Sequence, residues 1–161
     1  YKHTDAIALA PYISGYLGDA ARGADKMSVA QLFSELRLNG IQEAIRWIQD
    51  HAKVAKKYDL DMLAYEGGHH LAGHGGSENN EKLNELFDKA DKNPQMRTRY
   101  ARYFSEWKKA GGKTFVYYAS LSRQSKWGRW GIAYRLNTPP GESPKLDAVL
   151  EFSRDNPRWW D

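Results

Sequence analysis

The sequence predicts an α/β fold: a partial (β/α) barrel of roughly three βα units with parallel strands. Three short apolar runs, at 5–10, 61–66 and 113–119, are each followed by a stretch in which apolar residues recur at helical spacing. Runs without polar alternation are typical of strands buried on both faces. Strands that alternate with helices favour parallel pairing through right-handed crossovers. We therefore predict that the three strands are adjacent and parallel, and that residues 1–161 form a single domain.

Two consecutive helices are predicted after the first strand. Ser28 and Gln31 have the spacing of a capping box, and the helix that they begin is predicted to stop at Asn39-Gly40. A second helix follows at once, and one of its faces is apolar. The residues of this face are Ile41, Ala44, Ile45, Ile48, Ala52 and Ala55.

Three further helices are predicted in the second half of the chain. A short one lies around residues 83–87, and the next begins at Pro94 and ends at Gly111-Gly112, with Trp107 on its core face. Ser143-Pro144 is a helix start, because serine caps the free amides and proline fits the first turn. The order of elements is therefore βα, βα, βα.

Composition excludes several classes of protein. Hydrophobic residues make up 41% of the chain and charged residues 27%, which is typical of a globular protein. No apolar run approaches the ~20 residues of a membrane span, so we expect no membrane partner. The net charge of +4 comes from 24 basic residues interspersed with 20 acidic ones, so we expect no nucleic-acid partner. The chain has no cysteine, which leaves its compartment undetermined.

Aromatic residues are more numerous than a core of this size requires. The chain has six tryptophans and ten tyrosines, many of them beside glycine, serine or arginine. Flat rings with a polar edge suit the faces of sugars. They are equally common in protein interfaces, so composition alone does not choose between these two roles.

Polar and aromatic residues cluster where the predicted strands end. In parallel α/β folds the loops at the carboxyl ends of the strands converge on one face, where active sites form. Glu66 is unusual in a buried strand, and Gly67-Gly68 behind it would let a ligand approach the backbone. We therefore predict that Glu66 is a catalytic residue. The predicted substrate-binding residues are Tyr12, Tyr65, His69, His70, Tyr118, Trp127 and Trp130.

Other roles for these residues remain open. Glu66 would be purely structural if it paired with Arg123 or Arg129. A metal site is a second alternative. The spacing of His70 and His74 would place both rings on one face of a helix, but the glycines around His74 make a helix improbable there. This alternative site comprises His69, His70, His74, Glu66 and Glu78. We predict no metal and no cofactor. Trp127 and Trp130 would have no ligand role if they only pack within their loop.

Four short motifs carry a resemblance to a known family. The motifs are Ala-Leu-Ala-Pro-Tyr at 8–12, Ala-Tyr-Glu-Gly-Gly at 64–68, Trp-Gly-Ile at 130–132 and Ser-Pro-Lys at 143–145. Together they resemble the C-terminal half of bacterial proteins that are similar to retaining (β/α)8 glycoside hydrolases. The resemblance implies that the three units are the sixth to eighth of such a barrel. It also implies that Glu66 is the nucleophile and that Trp127 or Trp130 is a platform for the sugar.

The sequence departs from this family in one respect. Retaining hydrolysis requires a second carboxyl group about 5 Å from the nucleophile, and the family places it after its fourth strand, which has no counterpart here. Asp5 and Asp61 lie at strand starts, and Glu78 lies in a Gly-rich loop.

From the resemblance we expect a glycoside-hydrolase-like barrel segment that handles an oligo- or polysaccharide. The alternatives are a non-catalytic carbohydrate-binding module and an assembly module that pairs through open sheet edges. We also expect self-association or binding to a missing barrel half.

Overall fold

A computed structural model describes residues 2–160 and contains one sheet of three parallel strands. The strands are β1 (Ala6–Leu9), β2 (Asp61–Ala64) and β3 (Gly112–Phe115), in the spatial order β1-β2-β3. The prediction of an α/β fold with adjacent parallel strands is confirmed, and each strand is shorter than predicted. The open sheet is consistent with part of a (β/α) barrel.

Helices follow each strand. They are α1 (Val29–Glu35), α2 (Ile41–Tyr58), α3 (Glu81–Asp91), α4 (Gln95–Lys109) and α5 (Pro144–Asp155). Two predicted helix starts are observed. Ser28 and Gln31 form the capping box of α1, and the Ser143 side chain caps α5 with Pro144 in its first turn. Gly111, two residues after the end of α4, adopts φ +83°, a conformation that glycine adopts without steric cost.

The predicted stop at Asn39-Gly40 is wrong. Residues Leu36–Gly40 form a π-helical turn that joins α1 directly to α2, and Gly40 has a helical φ of −61°. Glycine at position 40 lets the helix backbone approach Ser14 closely, because a Cβ there would overlap the Ser14 side chain. Helical propensity alone could not reveal this contact, which joins residues far apart in the sequence.

The helices cover one face of the sheet with a core that is largely aromatic near β3. The α2 stripe is buried except for the partly buried Ala52. The α4 face is buried at Tyr100, Tyr103, Phe104 and Trp107. Phe115 of β3 contacts three of these rings, with centroids 5.3–5.4 Å apart. Edge-to-face packing of this kind fixes α4 against β3.

The opposite face of the sheet is uncovered in residues 2–160. Its exposed side chains come from alternate positions of the strands and their extensions: Ala8, Tyr65, Thr114, Val116 and Tyr118. The sheet also continues at one corner, because residues 130–133 pair in parallel with 119–121; the Ala119 amide donates to the Trp130 carbonyl at 2.9 Å. Across the same described range, no helix is long and apolar enough to cross a membrane.

The contact between Gly40 and Ser14 predicts a stability effect opposite to the usual one. Alanine in place of a mid-helix glycine normally stabilises by about 0.5–1 kcal/mol. Gly40→Ala should instead destabilise by about 1–3 kcal/mol, because the new methyl group overlaps Ser14. Urea denaturation measures this change in the free energy of unfolding.

The control for this prediction is the double variant Ser14→Gly/Gly40→Ala. Ser14 adopts φ +65°, and its buried hydroxyl has no hydrogen-bond partner, so glycine there removes the clash at no polar cost. The double variant should regain most of the lost stability. Additive effects of the two substitutions would show that the contact is not the cause.

The uncovered face and the outer edge of β1 predict association. Unpaired strand edges and an apolar sheet face favour contact with another chain. Sedimentation velocity should therefore show dimers or larger species, and Val116→Lys should shift them towards monomer. Leu136→Lys, at a 95%-exposed position elsewhere, is the matched control. A monomer at all concentrations contradicts self-association.

Candidate functional site

Glu66 lies just beyond β2, next to Tyr12, which follows β1. Glu66 is half-buried, and its carboxylate lies close enough to the Tyr12 hydroxyl to act on it electrostatically. Burial, together with the negative charge of Glu66, raises the pKa of Tyr12 above its ordinary value. Tyr12 therefore stays protonated and keeps an O–H group beside Glu66. The hydroxyls of Tyr65 and Tyr118 also lie close enough to act on Tyr12.

Continued pairing of the two chains beyond β1 and β2 places Tyr12 beside Glu66. The Ile13 amide donates to the Gly68 carbonyl at 2.8 Å, and the His70 amide donates to the Ile13 carbonyl at 2.8 Å. Tyr103 of α4 holds the other side, because its hydroxyl donates to the Pro11 carbonyl at 2.5 Å. Backbone pairing thus determines which side chains meet at this end of the sheet.

Gly67 and Gly68 have a packing role beneath the candidate site. A Cβ at Gly67 would lie 2.6 Å from the Phe115 ring, and one at Gly68 would lie 3.2 Å from the Tyr117 ring. Gly68 also has φ +146°, which L side chains rarely adopt. The glycines therefore let the turn after Glu66 rest directly on aromatic rings.

Four of the predicted binding residues form one aromatic cluster. The ring centroids of His70 and Trp130 are 4.8 Å apart, and those of Tyr12 and Trp130 are 5.9 Å apart. Tyr118 lies 5.8 Å from Trp130, and Tyr12 lies 5.8 Å from His70. All four pairs meet edge to face, the preferred geometry of aromatic rings. We call Tyr12, His70, Tyr118 and Trp130 the aromatic cluster.

Trp127 and Tyr65 lie outside the aromatic cluster. The Trp127 ring is 65% exposed and lies under the Lys126 ammonium, 4.6 Å from the ring centroid. Its carbonyl accepts the indole N–H of Trp130 at 3.0 Å, so it supports the cluster through its backbone. Tyr65 is 58% exposed on the open face of the sheet. Both rings remain accessible to a ligand.

His69 points away from the surface. The side chain is 2% exposed, and its Nδ1 lies 2.6 Å from the Tyr100 hydroxyl. The Tyr100 oxygen also receives the His69 amide at 2.9 Å and lies 2.6 Å from the Tyr117 hydroxyl. His69 was predicted to bind substrate, and the structure instead places it in the protein interior.

The carboxylate of Asp91 defines where the neutral His69 ring carries its proton. The Tyr100 hydroxyl accepts from the His69 amide and lies within hydrogen-bond distance of Tyr117 and of His69 Nδ1. His69 Nε2 lies 3.4 Å from Asp91 Oδ1, and a protonated Nε2 is attracted to the carboxylate, whereas a bare nitrogen would be repelled by it. Burial lowers the pKa of His69 well below its ordinary value, and Lys145 and Arg129 lower it further. His69 is therefore neutral.

Asp91 and Lys145 form a buried ion pair at the centre of this region. Lys145 Nζ lies 2.5 Å from Asp91 Oδ1, and the two side chains are 0% and 1% exposed. Gln124 donates to the second Asp91 oxygen at 2.8 Å, and Lys145 also donates to the Arg129 carbonyl at 2.9 Å. Buried charges require this kind of compensation. The pair ties α3 and α5 to the loop that carries Trp130.

Arg129 is committed to Asp88 and does not pair with Glu66. Its guanidinium is 2% exposed, contacts Asp88 Oδ1 at 2.5 Å and donates to the Asn84 carbonyl at 3.0 Å. The alternative in which Glu66 is purely structural because it pairs with Arg129 is therefore not observed. Arg123 is exposed on the same loop and forms no ion pair with Glu66 across residues 2–160.

Sequence reasoning did not single out Asp91 or Lys145, although both carry a signal. Asp91 is the last residue of α3, where the helix dipole disfavours an anion, and Lys145 is the second residue of α5, where it disfavours a cation. Charges with the wrong sign at two helix ends indicate that each compensates the other. Only the fold shows that these two ends meet.

The structure gives no support to the metal alternative. Within residues 2–160, no group of three or more His, Cys, Asp or Glu side chains is placed to hold a metal ion. His69 is buried, and the Glu78 carboxylate accepts the Gly76 amide at 2.8 Å within its own loop.

Comparison of the chain with protein-family models, curated proteins and solved structures finds no match.

The neutral state of His69 predicts how stability depends on pH. The unfolded chain binds a proton at this histidine below about pH 6.5, whereas the folded protein does not. The free energy of unfolding should therefore fall as the pH decreases from about 6.5, by up to about 1.4 kcal/mol per pH unit for this group. Chemical denaturation from about pH 7 to pH 5 measures the slope.

Two histidine variants separate this effect from general acid destabilisation. His69→Gln should flatten the slope, because the titrating group is gone. His51→Gln removes a histidine of α2 whose Nδ1 lies 2.7 Å from the Trp47 carbonyl, and should leave the slope unchanged. Equal slopes in all three proteins would contradict a neutral, buried His69.

Proposed function

We propose that this chain is the carbohydrate-handling segment of a glycoside-hydrolase-like barrel, with Glu66 as its nucleophile and the aromatic cluster as its sugar platform. One observation carries the proposal: Glu66 stands half-buried at the carboxyl end of the sheet, next to Tyr12 of the aromatic cluster. Rings orient the apolar faces of a sugar, and a carboxylate beside them can accept its hydroxyls or attack its anomeric carbon.

The surroundings of Glu66 support a reactive role. A nucleophilic carboxylate needs hydrogen-bond donors that orient it and leave it deprotonated. The protonated Tyr12 hydroxyl beside Glu66 can act as such a donor, and Tyr12 is itself held by the pairing of residues 12–13 with residues 68–70. Tyr118 follows β3 and lies on the other side of the same end of the sheet.

A non-catalytic carbohydrate-binding module is the second candidate. It is favoured by the positions of the other carboxylates in residues 2–160. Asp5 and Asp61 lie at the amino ends of the strands, where Asp61 pairs with Lys113 at 2.6 Å, and Glu78 is bound to its own loop. A general acid would then have to come from another chain or from another part of the polypeptide. Association with a missing barrel half is part of the same proposal.

Replacement of Glu66 by glutamine distinguishes the two candidates. In the natural polypeptide that contains this sequence, Glu66→Gln should lower hydrolysis of a responsive β-glucan, xylan or mannan by at least about a thousandfold, because the charge acts in the transition state. Binding of the same neutral oligosaccharide, followed by tryptophan fluorescence, should change less than about threefold. A binding module has no turnover and should lose about tenfold or more in affinity.

Glu85→Gln is the matched control, because Glu85 lies on the exposed side of α3 and pairs with the exposed Lys89 at 3.4 Å. It should leave hydrolysis and binding unchanged. Normal turnover in the Glu66→Gln protein contradicts the assignment of the nucleophile. If no oligosaccharide alters the fluorescence of the folded protein, the carbohydrate proposal as a whole is wrong.

A further inference from the structure

The carboxylate of Glu66 has no cationic partner in the part of the chain that the structure describes. No lysine, arginine or histidine forms an ion pair with it, although nine lysine or arginine ion pairs occur elsewhere in residues 2–160. The groups that most affect the neighbouring Tyr12 hydroxyl are Glu66, Tyr118 and Tyr65, and none of them is a cation. Within these residues, the group identified beside the carboxylate is therefore a neutral phenol.

Three basic residues of the same region are neutral or paired with other carboxylates. Burial, followed by the charge of His74, lowers the pKa of His70, so the ring within the aromatic cluster is neutral at neutral pH. Arg129 and Lys145 are buried and directed to Asp88 and Asp91. The site thus has a local negative charge in a chain whose net charge is +4.

The aromatic cluster reinforces a preference for cations. The faces of tyrosine and tryptophan rings attract an ammonium group, and the attraction grows when water is excluded. Tyr12, Tyr118 and Trp130 meet edge to face, at interplanar angles of 65–73° to Trp130, so their faces point in different directions around the site. A carboxylate beside such rings is suited to an organic ammonium ion.

We infer that the sugar bound at Glu66 and the aromatic cluster carries a free, protonated amine, as in a glucosamine oligomer. The sugar ring would pack on the aromatic side chains, and its ammonium group would form a charge-assisted hydrogen bond with Glu66. This inference rests on the proposed carbohydrate function and specifies its substrate class. A neutral or N-acetylated sugar offers only hydroxyl or amide donors to the same carboxylate.

The test compares glucosamine and N-acetylglucosamine oligomers of equal length. At about pH 6, where the amine is protonated and glutamate is normally ionised, fluorescence titration should show at least about tenfold tighter binding of the glucosamine oligomer. The selectivity should disappear at about pH 9, where the amine is neutral. The positive net charge of the protein opposes nonspecific attraction of a cationic oligomer.

Three variants locate the effect. Glu66→Gln should reduce glucosamine-oligomer binding about tenfold or more and leave the N-acetylated oligomer within about threefold. Trp130→Ala should weaken both oligomers, because the platform is lost. Glu85→Gln removes one negative charge from the surface of α3 and should change neither. Circular dichroism of each variant establishes that it is folded.

Each outcome decides a separate question. If the N-acetylated oligomer binds as tightly as the glucosamine oligomer, or if Glu66→Gln retains the selectivity, the amino-sugar inference is wrong and the carbohydrate proposal stands. If the folded protein binds neither these oligomers nor β-glucans, xylans or mannans, the proposed function is wrong, and the inference with it.

Discussion

The buried ion pair between Asp91 and Lys145 holds the parts of this structure that the sheet alone does not position. Removing one member of such a pair typically costs about 3–5 kcal/mol, because the other charge is left without compensation in the interior. Here the pair joins the end of α3 to the start of α5, and Gln124 and the Arg129 carbonyl attach the loop after β3 to it. Trp130 follows immediately in that loop, so the position of the aromatic cluster depends on a charge contact beneath it.

His69 extends this interior network to the turn that carries Glu66. Its backbone amide and its ring both contact the Tyr100 hydroxyl, and its Nε2 faces Asp91. A neutral imidazole with one defined tautomer fits this arrangement without adding a second buried positive charge beside Lys145. The result is a rigid support on one side of the turn and a half-buried carboxylate on the other. Rigid support of this kind is what precise recognition of a ligand requires.

The two adjacent histidines show how backbone geometry separates roles in one motif. His69 and His70 are neighbours in the sequence, and an extended chain directs successive side chains to opposite sides. His69 therefore enters the interior, and His70 joins Trp130 and Tyr12 in the aromatic cluster. The parallel pairing of Ile13 with His69 fixes which histidine faces which way. A shift of one residue in that pairing would exchange them.

The sequence by itself determined the elements: apolar runs predicted the three parallel strands, and Ser28 and Ser143 marked two helix starts because capping is a local interaction. Strand ends also indicated that Tyr12, Glu66 and Trp130 would converge. Only the tertiary structure decided what depends on contacts between distant residues: Gly40 as a point of close approach to Ser14 and the Asp91–Lys145 pair. Local propensity carries no information about such partners, since they become neighbours only when the sheet and its helices are assembled.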